Sequence, residues 1–193
     1  MPVSRAGYPE RVASPTRIST RFLLVCAALG VATGIVSAAA GYGAVAVSAA
    51  APIAYGLLLG VHVLPGVVAQ EVLRRPWAAV ATHVFAALVA SAFSPQWTFR
   101  YLGTAVLIGG LQELVALLAR YRHWEWWRFM ISAVVIGGII ALGIGVFAHV
   151  HTFAPWAQAL YVALFIVGPV AWTAIGVGIG AALRRAGVAR SVR

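Results

Sequence analysis

Lysine and aspartate are absent from the 193 residues, and cysteine occurs once. No lysine is available as a nucleophile, and HEXXH, GxSxG and Cys/His clusters are missing too. Neither an activated nucleophile nor a zinc site is therefore installed. No Walker motif is present, so ATP hydrolysis cannot be this chain's own. The lone Cys26 lies inside an apolar run, which excludes a disulfide framework and leaves it a small packing residue. No enzyme, cofactor or metal site is expected.

Negative charge is nearly as scarce. Glu10, Glu71, Glu113 and Glu125 are the complete set of acids. Glu113 is the one acid deep within an apolar span, Glu71 lying two residues from the end of another, which argues against a proton or cation relay of paired carboxylates. All fourteen basic residues are arginine, a bias that points to a GC-rich, bacterial genome. Charged residues make up 9% and hydrophobic residues 62%, with a mean hydropathy of +0.93. A soluble domain of this size needs more polar surface, so lipid must solvate the chain. The net charge of +10 would raise nucleic acid as a partner. Here the arginines are scattered among short connections between apolar runs, the pattern of a topology signal.

Six windows are long enough to cross a ~30 Å hydrocarbon core: Ser19–Gly41, Ala51–Leu73, Trp77–Phe93, Tyr101–Ala119, Trp127–Val150 and Pro155–Leu183. The Gly- and Ala-rich stretch Tyr42–Ala50 reads as a re-entrant or surface-lying connection, or as an extension of the second span. Thirteen arginines fall on one side of these spans and Arg100 alone on the other. That asymmetry places both termini in the cytoplasm. The expected fold is an all-α integral membrane protein of six transmembrane helices in a bacterial inner membrane. Residues 1–19 form a flexible basic cytoplasmic tail, 20–184 the membrane domain and 185–193 a second basic tail. Residues 1–19 lack an apolar core and do not read as a cleaved signal. The tryptophans of RYRHWEWWR (120–128) anchor the inner interface, while Trp97, Phe99, Tyr101 and Trp156 mark the outer one.

In the first span, small residues recur at spacing four. Cys26, Gly30, Gly34 and Ala38 form one stripe, and Ala28 and Ala32 a neighbouring one. Such stripes let helix backbones approach closely in lipid, either within the bundle or against another membrane protein. In GGLQELVALLAR (109–120), Gln112 and Glu113 interrupt an apolar helix. A carboxylate at such depth is costly and faces a cavity, a partner or a substrate; a structural pair with His62 or His83 is the alternative. On the outer side, His149 and His151 make a poor metal site on their own. They read better as residues at a pocket mouth, beside Trp156 and level with Trp97 and Tyr55. Aromatic walls above an acid suit a flat, polar, cationic ligand.

The segments PIAYGLLLGVHVLPGVVAQEVLRRPWAA (52–79) and GGLQELVALLARYRHW (109–124) resemble the S components of energy-coupling factor vitamin transporters. Within these they are similar to the thiamine/hydroxymethylpyrimidine branch, the YkoE family, over roughly residues 20 to 183. The resemblance implies a subunit that captures a vitamin outside and associates with a transmembrane coupling subunit and two ATPase subunits. It implies that Ala28 and Ala32 contact the coupling subunit and that Glu113 meets the ligand. Gln112, Tyr55, Trp97, His149 and Trp156 are the further candidate ligand residues. Nickel and cobalt S components carry a Met-His amino terminus, whereas this chain begins MPVSRAG, which disfavours them. Competing classes are a membrane scaffold without a ligand, and a secondary carrier, for which no internal repeat is found.

Overall fold

The computed structural model describes residues 18–188. Most of the two expected tails, residues 1–17 and 189–193, lies outside them. Among the described residues every regular element is helical. In chain order the helices are α1 (Thr20–Ala50), α2 (Tyr55–Leu59), α3 (Leu64–Leu73), α4 (Ala78–Phe93), α5 (Thr98–Leu118), α6 (Trp126–Phe147) and α7 (Pro155–Arg185). A 3-10 turn, Gly60–Val63, joins α2 to α3, so the two make one rod preceded by the turn Pro52–Ala54.

Five segments are long and apolar enough to cross a membrane: Thr20–Ala50, Pro52–Leu73, Pro95–Leu118, Trp126–Phe147 and Pro155–Arg185. The sixth expected span, α4, is apolar but has 16 residues. That is about 24 Å of helix, short of a ~30 Å core. Among the described residues five segments therefore reach full spanning length, and α4 is a shorter apolar helix beside them.

A correction concerns Tyr42–Ala50. These residues neither re-enter, nor lie on the surface, nor extend the second span; they continue α1, which runs 31 residues without a break. Alanine favours this, and Gly41 sits where the Tyr101 hydroxyl presses close, since a Cβ there would stand 2.6 Å from it. The helix ends at Ala51, where the following Pro52 disfavours helical backbone. At the other end Ser19 caps α1, its hydroxyl accepting from the Phe22 N–H at 3.2 Å.

Neighbour pairs fix the directions. Gly30 meets Phe85 and Gly34 meets Val89, so α1 and α4 run parallel. Gly176 meets Leu64 and Gly180 meets Glu71, so α3 and α7 also run parallel. Gly137 meets Phe165 and Gly145 meets Tyr161, so α6 and α7 are antiparallel. The six rods therefore alternate. The start of α1, the α3–α4 link, the α5–α6 link and the end of α7 share one end. At its centre stands α3, every residue of which is buried.

Several crossings are closer than side chains allow. A Cβ on Gly60 would lie 2.4 Å from the backbone of Gly168, next to Pro169 within α7. One on Gly34 would lie 2.7 Å from the Ala86 carbonyl oxygen. The stripe Cys26–Gly30–Gly34–Ala38 is thus buried as internal packing, with Gly30 and Gly34 seated on α4. Ala28 and Ala32 are exposed on α1's other face, beside Leu24, Val31 and Ile35. The two stripes have separate destinations.

Candidate functional site

At the arginine-rich end α4 begins abruptly. Its N-cap position, Trp77, adopts a left-handed conformation (φ 67°) and offers no side-chain cap. A helix start leaves several N–H groups without partners and concentrates partial positive charge. Glu113, reaching across from α5, supplies what is missing. One oxygen accepts from the Ala79 N–H at 2.8 Å and the other from the Tyr121 hydroxyl at 3.1 Å. Burial first, and the Glu113 carboxylate second, push the Tyr121 hydroxyl up to about 12. The expected ligand contact of Glu113 thus has another occupant, and neither His62 nor His83 is its partner.

Gln112 points elsewhere, as adjacent helical residues must. Its amide nitrogen donates to the Val63 carbonyl at 3.0 Å, and its oxygen stands 3.0 Å from His83 Nε2. An amide oxygen can only accept, so Nε2 carries the ring proton. Gln70 continues the chain, donating to the Gln112 carbonyl at 3.3 Å. Its own oxygen accepts from both terminal nitrogens of Arg128 at 3.2 Å. Arg128 is 1% exposed, held between the rings of Trp124 and Phe129 at 4.8 and 4.1 Å. Closer to the surface, Glu71 pairs with Arg74 at 3.4 Å and with Arg184.

Above His83 lies a cavity of about 20 Å³ walled by Ser37, His62, His83, Tyr101 and Thr104 among small apolar side chains. That is room for one water. The Tyr101 hydroxyl is buried and makes no hydrogen bond. Its neighbour Ser94 donates instead to the Tyr42 hydroxyl at 3.1 Å, which itself donates to the Phe93 carbonyl at 2.9 Å. Toward the opposite end Arg100 donates to the Tyr55 hydroxyl at 2.8 Å and sits 5.5 Å from the Trp97 ring centre. The Trp97 ring in turn lies 6.3 Å from that of Tyr101.

Two of the expected ligand residues, Tyr55 and Trp97, are therefore brought together by Arg100. None of Tyr55, Trp97, His149 and Trp156 is among the residues lining the small cavity. His149 is exposed in a left-handed turn, its ring 5.9 Å from that of His151. Trp156 borders a crevice of about 690 Å³ between the α1–α2 connection and α7. A further crevice of about 470 Å³ lies between α6 and α7. Both walls are almost wholly apolar, with Leu142, Val146 and Trp156 exposed. In the second, the Tyr161 hydroxyl donates to the Ala141 carbonyl at 3.1 Å and Gln158 to the Phe153 carbonyl at 2.8 Å, and the His151 ring lies beside them. Size alone would favour these crevices; unsatisfied polar groups favour the small cavity. Ser37, Tyr101 and Thr104, which wall the cavity, did not enter the sequence reading as candidate ligand residues, and His62 and His83 entered it only as partners for Glu113. A usable signal existed, because polar residues recur mid-span on four different helical segments.

The family described as ABC-type cobalt transport system, permease component, matches residues 22–139. The chain belongs to this family. A crystal structure of an S component of an ECF transporter superposes with a TM-score of 0.78 at 15% sequence identity, over 90% of this chain and 89% of that one. The membrane-subunit architecture expected from the resemblance is thus the fold observed. No curated protein sequence matches. Proteins of this family and fold are transport subunits, not enzymes. The family description names cobalt and no vitamin. Among the described residues no three His, Cys, Asp or Glu side chains stand together to hold a metal ion. The amino terminus, on which cobalt was disfavoured, lies outside the described residues.

Proposed function

We propose that this chain is the substrate-capture S component of an energy-coupling factor importer. It spans a bacterial cell membrane six times, α4 included, with both termini in the cytoplasm. A coupling subunit docks on the Ala28–Ala32 face, and two ATPase subunits supply the energy. Support for the orientation comes from charge: the thirteen-to-one arginine asymmetry follows the positive-inside rule, and the alternating rods gather the described basic residues other than Arg100 at one end. The exposed Ala28 and Ala32 leave α1 a flat surface on which another helix can pack.

One observation carries the reading. A cavity walled by hydroxyls and imidazoles sits between α1, α3, α4 and α5, and the Tyr101 hydroxyl beside it has no protein partner. A buried polar group without a partner costs stability unless something else satisfies it, and a captured solute would. At about 20 Å³ the described form is closed. A solute larger than water gains access when the α1–α2 connection and the α4–α5 loop part, which requires the Arg100–Tyr55 and Tyr42–Phe93 contacts to break. Thiamine and its hydroxymethylpyrimidine precursor are the solutes implied by the sequence resemblance, and cobalt ion is the one named by the family. A membrane scaffold has no use for such a cavity.

The test is mass spectrometry of small molecules released from gently purified protein. Recovery of one solute in near-stoichiometric amount, lost when Tyr101 is changed to Phe and Thr104 to Val together, is the expected result. A bundle that carries no solute, and whose melting temperature no candidate solute raises, would be a scaffold.

A further inference from the structure

A crevice of about 380 Å³ opens between α5 and α6 at the arginine-rich end of the bundle. Leu111, Leu114 and Leu118 wall it on one side, and Trp127, Arg128 and Ile131 on the other. Leu114, Leu118, Trp127 and Ile131 are also exposed, so in a bilayer the crevice faces lipid. From Leu111 to Ala119 it follows α5 for about 12 Å, close to the ~15 Å that one leaflet contributes to a ~30 Å core. The crevices bordered by Trp156 and by Leu142 are larger, but no arginine lines either. The head of this one is basic. Arg128 is part of its wall, and the Arg128 Nε is buried without a hydrogen-bond partner. Arg120 and Arg122 follow directly on Ala119, the last residue of α5's end to line the crevice. Both are exposed, and neither forms an ion pair among the described residues. The acid of the same link, Glu125, stands 3.5 Å from His123 instead.

We propose that this crevice binds one anionic phospholipid, with an acyl chain lying along it and the phosphate meeting Arg120 and Arg122. The proposal goes beyond the capture reading, and the crevice shares no residue with the polar cavity. An apolar groove alone would take a chain from any lipid. The arginines decide which. A zwitterionic choline headgroup brings a cation that guanidinium groups repel, whereas an anionic headgroup leaves its phosphate free to accept from them. Basic pockets between helices on the cytoplasmic side recognise headgroups in this way, and the cytoplasmic leaflet carries the negative surface potential. The orientation proposed above puts the crevice in that leaflet. A phosphate at its head also supplies negative charge near Arg128, which is buried with no carboxylate in hydrogen-bond contact among the described residues, a costly state for a lone cation. The chain fills space that side chains leave open: Gly110, one turn from Leu114, has nothing within 4 Å of its Cβ position.

The experiment is native mass spectrometry of the full chain, delipidated in detergent and titrated with three probes. These are dioleoyl phosphatidylglycerol, dioleoyl phosphatidylcholine and the chain-free headgroup glycerol phosphate, with thermal shift on the same preparations. One phosphatidylglycerol per chain is expected to bind about ten- to thirtyfold more tightly than phosphatidylcholine, the effect of two charges near the membrane surface. Glycerol phosphate, lacking chains, should not bind. Changing Arg120→Gln and Arg122→Gln together should remove most of that preference and most of the melting-temperature gain from phosphatidylglycerol. Both side chains are exposed, so the bundle should still fold. Leu114→Trp, which fills the crevice and leaves the arginines in place, should weaken both lipids about tenfold through lost chain burial. The proposal is overturned by phosphatidylcholine binding as tightly as phosphatidylglycerol, by a preference that survives in the folded double variant, by Leu114→Trp without effect, or by glycerol phosphate binding as well as the lipid. None of these results touches the solute, which is tested at Tyr101 and Thr104, so either reading can fail while the other stands.

Discussion

Substituting Glu113 separates two roles that the sequence alone leaves open. In the structure its carboxylate accepts twice, from the Ala79 N–H and from the Tyr121 hydroxyl, and it stands where α4 has no cap of its own. A hydrogen bond to a charged group contributes about 1.5–3 kcal/mol. An acid at a partly buried helix start adds up to ~2 kcal/mol. Glu113→Ala should therefore cost roughly 2–4 kcal/mol, and Glu113→Gln, which keeps one acceptor, about 1–2 kcal/mol. At ~2–4 °C per kcal/mol for a chain of this size, the alanine variant should melt roughly 5–15 °C lower. A double-mutant cycle with Tyr121→Phe should show coupling above ~0.5 kcal/mol, as contacting residues do. Affinity for the co-purified solute should change less than about twofold. Thermal unfolding in detergent and calorimetric titration of the same preparations supply both numbers. A tenfold loss of affinity in Glu113→Gln with an unchanged melting temperature would refute the capping argument and return Glu113 to the ligand.

Ala28→Trp or Ala32→Trp should abolish solute uptake in cells yet leave solute affinity of the purified chain within about twofold, because both side chains are exposed and the added ring blocks only a partner's approach; equal loss of binding would make the stripe internal packing. The purified chain should neither hydrolyse ATP nor concentrate solute in liposomes, and accumulation driven by a proton gradient alone would instead indicate a secondary carrier. The Tyr121 hydroxyl titrates higher folded than unfolded, about 12 against 10, so its stabilising contribution is complete below pH ~10 and fades as pH rises toward ~12. Wild type should lose melting temperature across that window more steeply than Tyr121→Phe, and parallel curves would show that the contact carries no stability.

The rods were legible because lipid imposes a simple rule: apolar length between charged connections. Errors fell where local chemistry overrides composition. Gly41 and the run after it looked like a break, but glycine there serves a close approach by Tyr101, and nothing at one end of that contact announces its partner 60 residues on. The stripe Cys26–Gly30–Gly34–Ala38 and the stripe Ala28–Ala32 looked alike in sequence, since spacing four is the same on every face. Which of them meets α4 depends on the rotation of α1. Glu113 was correctly singled out as buried and costly. Its partner was not legible, because a backbone N–H at the start of another helix leaves no mark on residue identity. The candidate site was less legible still. Hydroxyls and imidazoles on four segments become a cavity only once the helices are assembled.

That assembly explains why a positive charge is buried at Arg128. Removing a guanidinium from water is expensive, yet this one has no carboxylate in hydrogen-bond contact among the described residues, only the Gln70 oxygen and two aromatic faces. Guanidinium is weakly hydrated and stacks well on rings, which lowers the cost, and the Gln70 oxygen accepts two of its N–H groups. With its oxygen so engaged, the Gln70 amide nitrogen is oriented to donate to the Gln112 carbonyl. Gln112 in turn is fixed by the Val63 carbonyl, so its oxygen faces His83. Each amide can be satisfied in one orientation only, because exchanging its oxygen and nitrogen would set donor against donor. Four helices, α6, α3, α5 and α4, are joined in this way, and the last member of the series is a wall of the cavity. Because Gln70 meets the Gln112 backbone and the Val63 carbonyl holds the Gln112 side chain, it is Val63 that selects which His83 nitrogen bears the proton. A linked network of this kind specifies one arrangement of the rods where apolar side chains in lipid would tolerate several.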